Sequence, residues 1–592
     1  MARRAPTSNP TTDVLIAGAG PTGLVLALWL TRLGVRVRIV DKTAEPGTTS
    51  RALVVQARTL EAYRQIGLAD EVVAKGVRFG GVNLWAAGRK AAHVSLGDIG
   101  KGLSPFPFAT IFPQDEHELL LIEHLAAAGV TVERGVSLTG FDERGGHVRA
   151  RLRGADGAEA VCDAAWLAGC DGARSAVREA SGADFPGGTY AQMFYVADVE
   201  ASGPVVDGEL HIALDDADFL GAFPMKGARR VRLIGMVSEA PEGGEDDVAW
   251  KDVSGGVGAR LGLKVRKVNW FSTYRVHHRV AGSFRHGRAF LLGDAAHIHS
   301  PVGGQGMNTG IGDAINLAWK LAAVVQRRGD EALLDTYEPE RIAFARRLVA
   351  TTDRAFTVAT SPGPIARLVR LDVMPRLLPA LIGMDIVRRL MFRTVSQTAV
   401  EYRDSALSAG GAGRVQGGDR LPWVTLEHGG DNFAPLAELD WQVHIYGEPA
   451  PALIEACVAR RLKLHAFDWR PSFWRAGLLP GALYLVRPDG YVAVADPNAN
   501  PAALANYLDR WAVKPRTAAT PAPARPARAK PAPAKAAAPE PAAKKPVTGK
   551  PAAKTPVAKK PVAKKPVAKR PISKPADKAA PRKRAAKPKP PS

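Results

Sequence analysis

Cysteine is scarce: Cys162, Cys170 and Cys457 are the only three in 592 residues, and no two have C-x-x-C spacing. A disulfide scaffold and a zinc or redox pair are thereby excluded, and a reducing, intracellular setting is expected. Long apolar runs are also missing. A membrane-spanning helix needs about 18 apolar residues, whereas the stretch 14–30 is interrupted by three glycines and Pro21. The opening Met1-Ala-Arg-Arg could start a twin-arginine leader, but no small-residue cleavage site follows the apolar stretch. The sequence therefore predicts a soluble, cytoplasmic protein with no membrane partner.

Acidic and aromatic residues fade out toward the end. After Trp511 there is no aromatic residue, and in 514–592 only Glu540 and Asp577 oppose 23 Lys and Arg. That segment holds +21 of the formal +22, leaving the preceding 513 residues at +1. It also holds 19 of the 45 prolines, with Pro541, Pro546, Pro551, Pro556, Pro561, Pro566 and Pro571 exactly five apart. Such a segment buries too little apolar surface to offset its ordering entropy, so 513–592 is expected to be disordered. Its charge suits salt-sensitive, sequence-independent binding to DNA, RNA or polyphosphate, or else a solubilising appendage. Base stacking on single strands is not expected, because no aromatic interleaves the lysines.

The body has the patterning of an α/β protein. Val14-Leu-Ile-Ala reads as a strand, residues 22–33 as a helix, and Val35-Arg-Val-Arg-Ile-Val as an alternating strand. Between the first two lies Gly18-Ala-Gly20-Pro-Thr-Gly23. Gly18 permits the tight turn, Gly20 lets a pyrophosphate approach the backbone, and Gly23 lets the helix pack on the sheet. Asp41 ends the next strand, placed to accept from a ribose hydroxyl. This context points to an adenine dinucleotide.

Two further glycine-rich turns follow apolar runs. Gly293-Asp294-Ala-Ala-His297 leads into Pro301-Val-Gly-Gly304-Gln-Gly306-Met307-Asn308 at a helix start. Unpaired amides and the positive helix end there would suit an anionic ring edge, with Asp294 accepting from a ribityl hydroxyl. The alternative is a plain strand–helix turn. Cys170-Asp171-Gly172-Ala-Arg174-Ser175 is either a phosphate-side motif or a common Asp-Gly turn. Gly256-Val-Gly-Ala-Arg-Leu-Gly262 imitates a second nucleotide loop but lacks a preceding strand, and is read as helix.

With Ser50-Arg51-Ala52, Gln114 four residues before Glu118, and Leu334-Asp-Thr-Tyr-Glu-Pro-Glu-Arg341, these motifs resemble the single-component FAD-dependent aromatic hydroxylases. These are the class A flavoprotein monooxygenases, the group of 4-hydroxybenzoate hydroxylase and phenol hydroxylase. The likeness spans about 11–512 and is greatest to the branch acting on polycyclic, polyketide-derived phenols. It implies an α/β fold with a Rossmann-like FAD-binding domain (11–185 and 281–365, including a substrate-domain segment near 80–110). A mixed or antiparallel β-sheet substrate domain would occupy 186–280, a helical connection 366–413, and a thioredoxin-like domain 414–512. The basic tail, 513–592, resembles linker-histone tails.

By resemblance, Asp41 and Arg51 hold the adenosine end of FAD, and Gln114 the ribityl or pyrophosphate region. Asp294 takes the ribityl and pyrophosphate, and Gly304, Gly306 and Met307 the flavin's pyrimidine edge. Asp171 and Gly172 lie near FAD and NADPH, and Pro301 beside flavin and substrate. The implied reaction is NADPH- or NADH-driven hydroxylation of a bulky phenol by O2 through a flavin C4a-hydroperoxide. Baeyer–Villiger or epoxidising chemistry, or polyanion binding with secondary flavin chemistry, are the alternatives. Where some relatives carry an acid after the arginine, this chain has Ala52-Leu-Val-Val, so no catalytic base is assigned. No metal is expected at His277, His278, His297 and His299, which have no cysteine or paired-carboxylate company. G-x-S-x-G, Walker A and W-x-W-x-I-P patterns are missing, which sets aside hydrolase, P-loop and halogenase readings.

Overall fold

The computed structural model describes residues 11–47, 51–97, 99–215, 218–237, 248–300, 302–360, 363 and 367–516. Ser50, Pro301 and the basic tail beyond residue 516 lie outside this set.

Strand Thr12–Ala17 is the pivot of the first sheet. Val14, Leu15 and Ile16 are fully buried, the unbroken apolar run that a strand covered on both faces requires. Strands Val37–Asp41 and Glu159–Gly169 flank it, both parallel. Ala289–Leu291 extends the sheet parallel to Glu159–Gly169, and Val132–Arg134 extends it beyond Val37–Asp41. The register sets Ala17 opposite both Gly169 and Val40, and Gly169 opposite Leu291. Four carboxyl ends therefore finish level. Helix Pro21–Arg32 buries residues 23–30 and packs on helix Gly306–Val325.

A second, eight-stranded sheet is built mainly from 187–298, with Gly81–Ala86 and Arg89–Ser95 added at one edge. All its pairs are antiparallel except the one joining Leu210–Asp215 to Gly81–Ala86. Because side chains alternate along a strand, its two faces differ. Tyr195, Ala197, Val199 and Leu233 pack toward helix Trp250–Leu261. Phe194, Val196, Ile234 and Tyr274 pack on the other face with Leu53 and Ile111. The segment that imitated a nucleotide loop is the end of helix Trp250–Leu261, closed by Gly262 at φ +62°.

Helices Met374–Gly383 and Asp385–Val395 lead to a third, six-stranded sheet over 409–496. In it Gln442–Tyr446 lies between a parallel strand, Lys463–Phe467, and an antiparallel one, Leu483–Val486. This sheet is tied to the first part of the chain by buried charge. Arg487 donates to Glu340 at 2.8 and 3.0 Å and to Asp489 at 2.6 and 3.0 Å. Lys320 and Asn316 donate to Glu340 at 2.8 and 2.6 Å, and Trp319 donates to Asp489 at 3.0 Å. Although burial opposes it, Arg487 and Lys320 hold the Glu340 carboxyl far below its ordinary range. Burial pulls the Lys320 ammonium down to about 8.

Removing one member of a buried, hydrogen-bonded ion cluster strands its partners without solvent, at about 3–5 kcal/mol. Arg487→Met should cost stability of that order and lower the thermal unfolding midpoint by several degrees. An unchanged midpoint in calorimetry would show that the cluster does not tie the third sheet to the body.

Candidate active site

In parallel sheets, ligands bind in the crevice outside the carboxyl ends of the strands. Here the level ends of Thr12–Ala17, Glu159–Gly169 and Ala289–Leu291 each run into one of the glycine-rich turns. Turns separated by more than 100 residues thus meet at one edge.

Gly18 has φ +101°, and a Cβ there would stand 2.2 Å from the Cys170 carbonyl oxygen. A Cβ on Gly23 would meet the Gly18 carbonyl at 2.0 Å. Gly20, by contrast, faces open space within 4 Å. No side chain caps the helix that starts at Pro21, so its first-turn amides are left for a ligand. Asp41 clasps this loop, accepting from Ala19 N at 2.6 Å, Thr43 N at 2.8 Å and the Thr43 hydroxyl at 2.6 Å.

Asp171 accepts from the Ser175 hydroxyl at 2.5 Å and from Val177 N at 3.2 Å, at the start of the short helix Ala176–Ala180. Burial raises its carboxyl despite these bonds. Gly172, at φ +81°, completes the turn behind Gly18.

The Gly-Asp turn is latched by Asp313 of helix Gly306–Val325. Its carboxylate accepts from Gly293 N at 3.0 Å and from Arg341 at 2.6 Å, and lies 2.7 Å from His297 Nε2. Burial alone would raise this carboxyl, but Arg341 and His297 keep it below its ordinary range. Asp294 is exposed in the turn that follows strand Ala289–Leu291. Desolvation by the surrounding protein lifts its carboxyl, against the pull of His297 and Arg51. Gly303 and Gly304 have φ +78° and +61°, and a Cβ on Gly304 would lie 3.1 Å from that of Val54. Gly306 begins the uncapped helix, with Met307 half-buried in its first turn.

Gln114 accepts from Ala52 N at 3.3 Å and donates to Glu118 at 2.8 Å, while Glu118 accepts from Gly47 N at 3.0 Å. Arg51 lies over the Tyr274 ring at 5.2 Å and acts on Asp294.

Several neighbours had no signal in the sequence. Asn308, quoted only as part of a motif, donates to Val54 O at 2.8 Å and Gly304 O at 2.9 Å. It also accepts from Gln56 N and the Thr59 hydroxyl, at 2.9 and 2.8 Å. Arg232 grips Asp198 with bonds of 2.6 and 2.7 Å on the inner face of the second sheet. Tyr190 donates to Asp353 at 2.5 Å and meets the His278 ring edge-on at 4.8 Å. His297 is paired with Asp313, and burial lowers His299 to about 4. Among the described residues no group of three or more His, Cys, Asp or Glu could hold a metal ion.

A glycine cradle facing open space, two uncapped helix starts and an exposed carboxylate at the same sheet edge fit a long dinucleotide lying across it. Comparison with known proteins agrees. The model of the FAD binding domain family matches residues 11–352. The 6-methylpretetramide 4-monooxygenase of Streptomyces rimosus is 35% identical over 510 residues, covering 81% of this chain and 90% of that one. A flavin-dependent monooxygenase of Mycobacteroides abscessus is 32% identical over 498 residues, covering 81% and 96%. The solved OxyS anhydrotetracycline hydroxylase from Streptomyces rimosus superposes with a TM-score of 0.69 at 28% identity, over 85% of this chain and all of that one. A shared sheet edge, a shared fold and relatives matched over nearly their whole length lead to one conclusion: the chain belongs to the FAD binding domain family and is an FAD-dependent aromatic monooxygenase.

Proposed function

We propose that the chain hydroxylates a bulky, polycyclic phenol, with a nicotinamide nucleotide as reductant and O2 as oxidant. The observation that carries this is the inner face of the second sheet. Phe219, Phe223 and Trp270 lie half-buried against the buried Phe194 and Tyr274, an aromatic cluster on which Val54 also packs, and a Cβ on Gly304 would meet that Val54. A flat, extended ring system suits such a wall, since offset stacked and edge contacts favour aromatic partners. Relatives named for monooxygenation of 6-methylpretetramide and anhydrotetracycline point the same way.

Bound FAD supplies hydride acceptance and the activation of O2 for transfer of one oxygen atom. This chain's residues bind and orient. Gly18, Gly20 and Gly23 cradle the diphosphate at the Pro21–Arg32 helix start, and Asp41 takes the adenosine ribose. Asp294 takes the ribityl chain, joined by Arg51. The amides of Gly304, Gly306 and Met307 face the ring's pyrimidine edge, where the helix dipole favours negative charge. Gln114 sets the backbone of Ala52, and Asp171 with Gly172 shapes the turn behind Gly18. Pro301, outside the described residues, is assigned beside flavin and substrate by resemblance alone, and the third sheet is read as thioredoxin-like without redox cysteines.

Tyr190 packs against this aromatic cluster and donates to Asp353. A substrate phenol donating to Tyr190 Oη passes its proton as Tyr190 yields its own to Asp353. The resulting phenolate is the more electron-rich ring, and the pair supplies the base that the Ala52-Leu-Val-Val stretch lacks.

A second reading concerns the tail, whose +21 suits binding to DNA, RNA or polyphosphate. A chain ending at residue 516 should keep full turnover and lose salt-sensitive retention on DNA-cellulose. Equal retention by the shortened chain would remove the tail from consideration.

Asp353→Asn should lower kcat/KM for hydroxylation tenfold or more near neutral pH, within the usual range for a lost general base. The deficit should shrink as pH approaches about 10, where the phenol ionises unaided. A variant equal to the parent at every pH, or one impaired equally at every pH, would contradict the proton route. Product analysis separates a hydroxylated ring from a lactone or an epoxide.

A further inference from the structure

Helices Met374–Gly383 and Asp385–Val395 carry apolar residues on both faces. The inner face is accounted for: Pro375, Ile382 and Phe392 are buried, and Pro379 and Ile382 border a groove against His93 and Val94 of the second sheet. The outer face is not. Met374, Leu377 and Leu381 fall at i, i+3 and i+7, one stripe of the helix, and are 38–50% exposed, with Met384 at 52% in the extended link that follows. On the second helix Ile386 and Leu390, four residues apart on one side, are 73% and 67% exposed. An ordinary surface helix carries polar residues on that side.

The charge around the stripe is one-sided. Residues 367–395 contain six arginines and two aspartates, with no lysine or glutamate, a net of +4. Both aspartates are engaged by neighbouring arginines, Asp372 by Arg376, and Asp385 by Arg388 and Arg389. Arg376, Arg389 and Arg393 stand exposed beside the apolar residues.

This combination selects among occupants. A second copy of the chain would cover the leucines but set +4 against +4. The chain's own tail, at +21, is repelled more strongly and offers no aromatic or extended apolar anchor. An anionic bilayer satisfies both features, taking leucine, isoleucine and methionine at the headgroup–acyl boundary while its phosphates meet the arginines. We infer that the helical pair 374–395 is a peripheral docking surface for anionic lipid. No helix among the described residues is long and apolar enough to cross a membrane, and docking of this kind does not need one. The inference stands apart from the proposed substrate and would place the enzyme where apolar polycyclic compounds concentrate.

The test is co-flotation of the full-length chain with vesicles of phosphatidylcholine alone, or mixed with phosphatidylglycerol. The parent is compared with Leu377→Ser/Leu381→Ser/Leu390→Ser, which keeps the lysine-rich tail, so any difference reads the stripe. The parent should partition onto mixed vesicles and hardly onto phosphatidylcholine. The triple variant should partition at least tenfold less, with unchanged circular dichroism and turnover. Equal partitioning of the two proteins would assign binding to the tail and overturn the inference. So would a parent that ignores mixed vesicles. A parent dimer in size-exclusion chromatography that the variant converts to monomer would make a second copy the occupant instead.

Discussion

Everything at the active site depends on the register of four parallel strands. Ala17, Val40, Gly169 and Leu291 lie side by side because the backbone ladder leaves no other alignment for fully buried apolar runs. A slip of one residue would turn buried side chains to the opposite face. Each strand then hands its chain to a turn at the same edge, so motifs far apart in sequence become neighbours. The Asp313 carboxylate completes this constraint, holding Gly293, His297 and Arg341 at once. Through it, the helix that begins at Gly306 is fastened to the turn that contains Asp294.

The second sheet adds a wall rather than a second nucleotide site. Its period-two alternation gives one face to helix Trp250–Leu261 and the other to the cleft, with Val54 where the wall meets the Gly304 turn. Arg232, gripping Asp198 and donating to Ala52 O at 3.4 Å, ties this wall to the segment carrying Arg51. The relative placement of this wall and the Gly304 turn is therefore a property of the packing between two sheets.

What was legible in the sequence is what local backbone chemistry demands. Gly18 and Gly23 must be glycine because a Cβ would strike backbone, and the apolar runs before the turns must be buried strands. Gly256 to Gly262 was readable as helix because nothing strand-like precedes it. Long-range pairing was not legible. Tyr190 and Asp353 are 163 residues apart, and nothing in either segment names the other. Nor does anything near Arg51 name Tyr274, the ring its guanidinium lies over more than 200 positions away. Asp171 carries the motif's carboxylate but uses it to start a helix. The outer stripe of 374–390 is periodic in sequence, but only tertiary packing tells which of its two apolar faces stays uncovered.

The central claim is that one sheet edge holds a flavin whose reduction answers to an aromatic substrate on the neighbouring wall. It is tested most directly by anaerobic bleaching of the bound flavin's visible absorbance with NADPH or NADH, in the presence and absence of a panel of phenols. The account predicts that polycyclic phenols accelerate bleaching at least tenfold over reductant alone. Bleaching at one rate regardless of the compound added, or a purified protein that takes up no FAD, would contradict it.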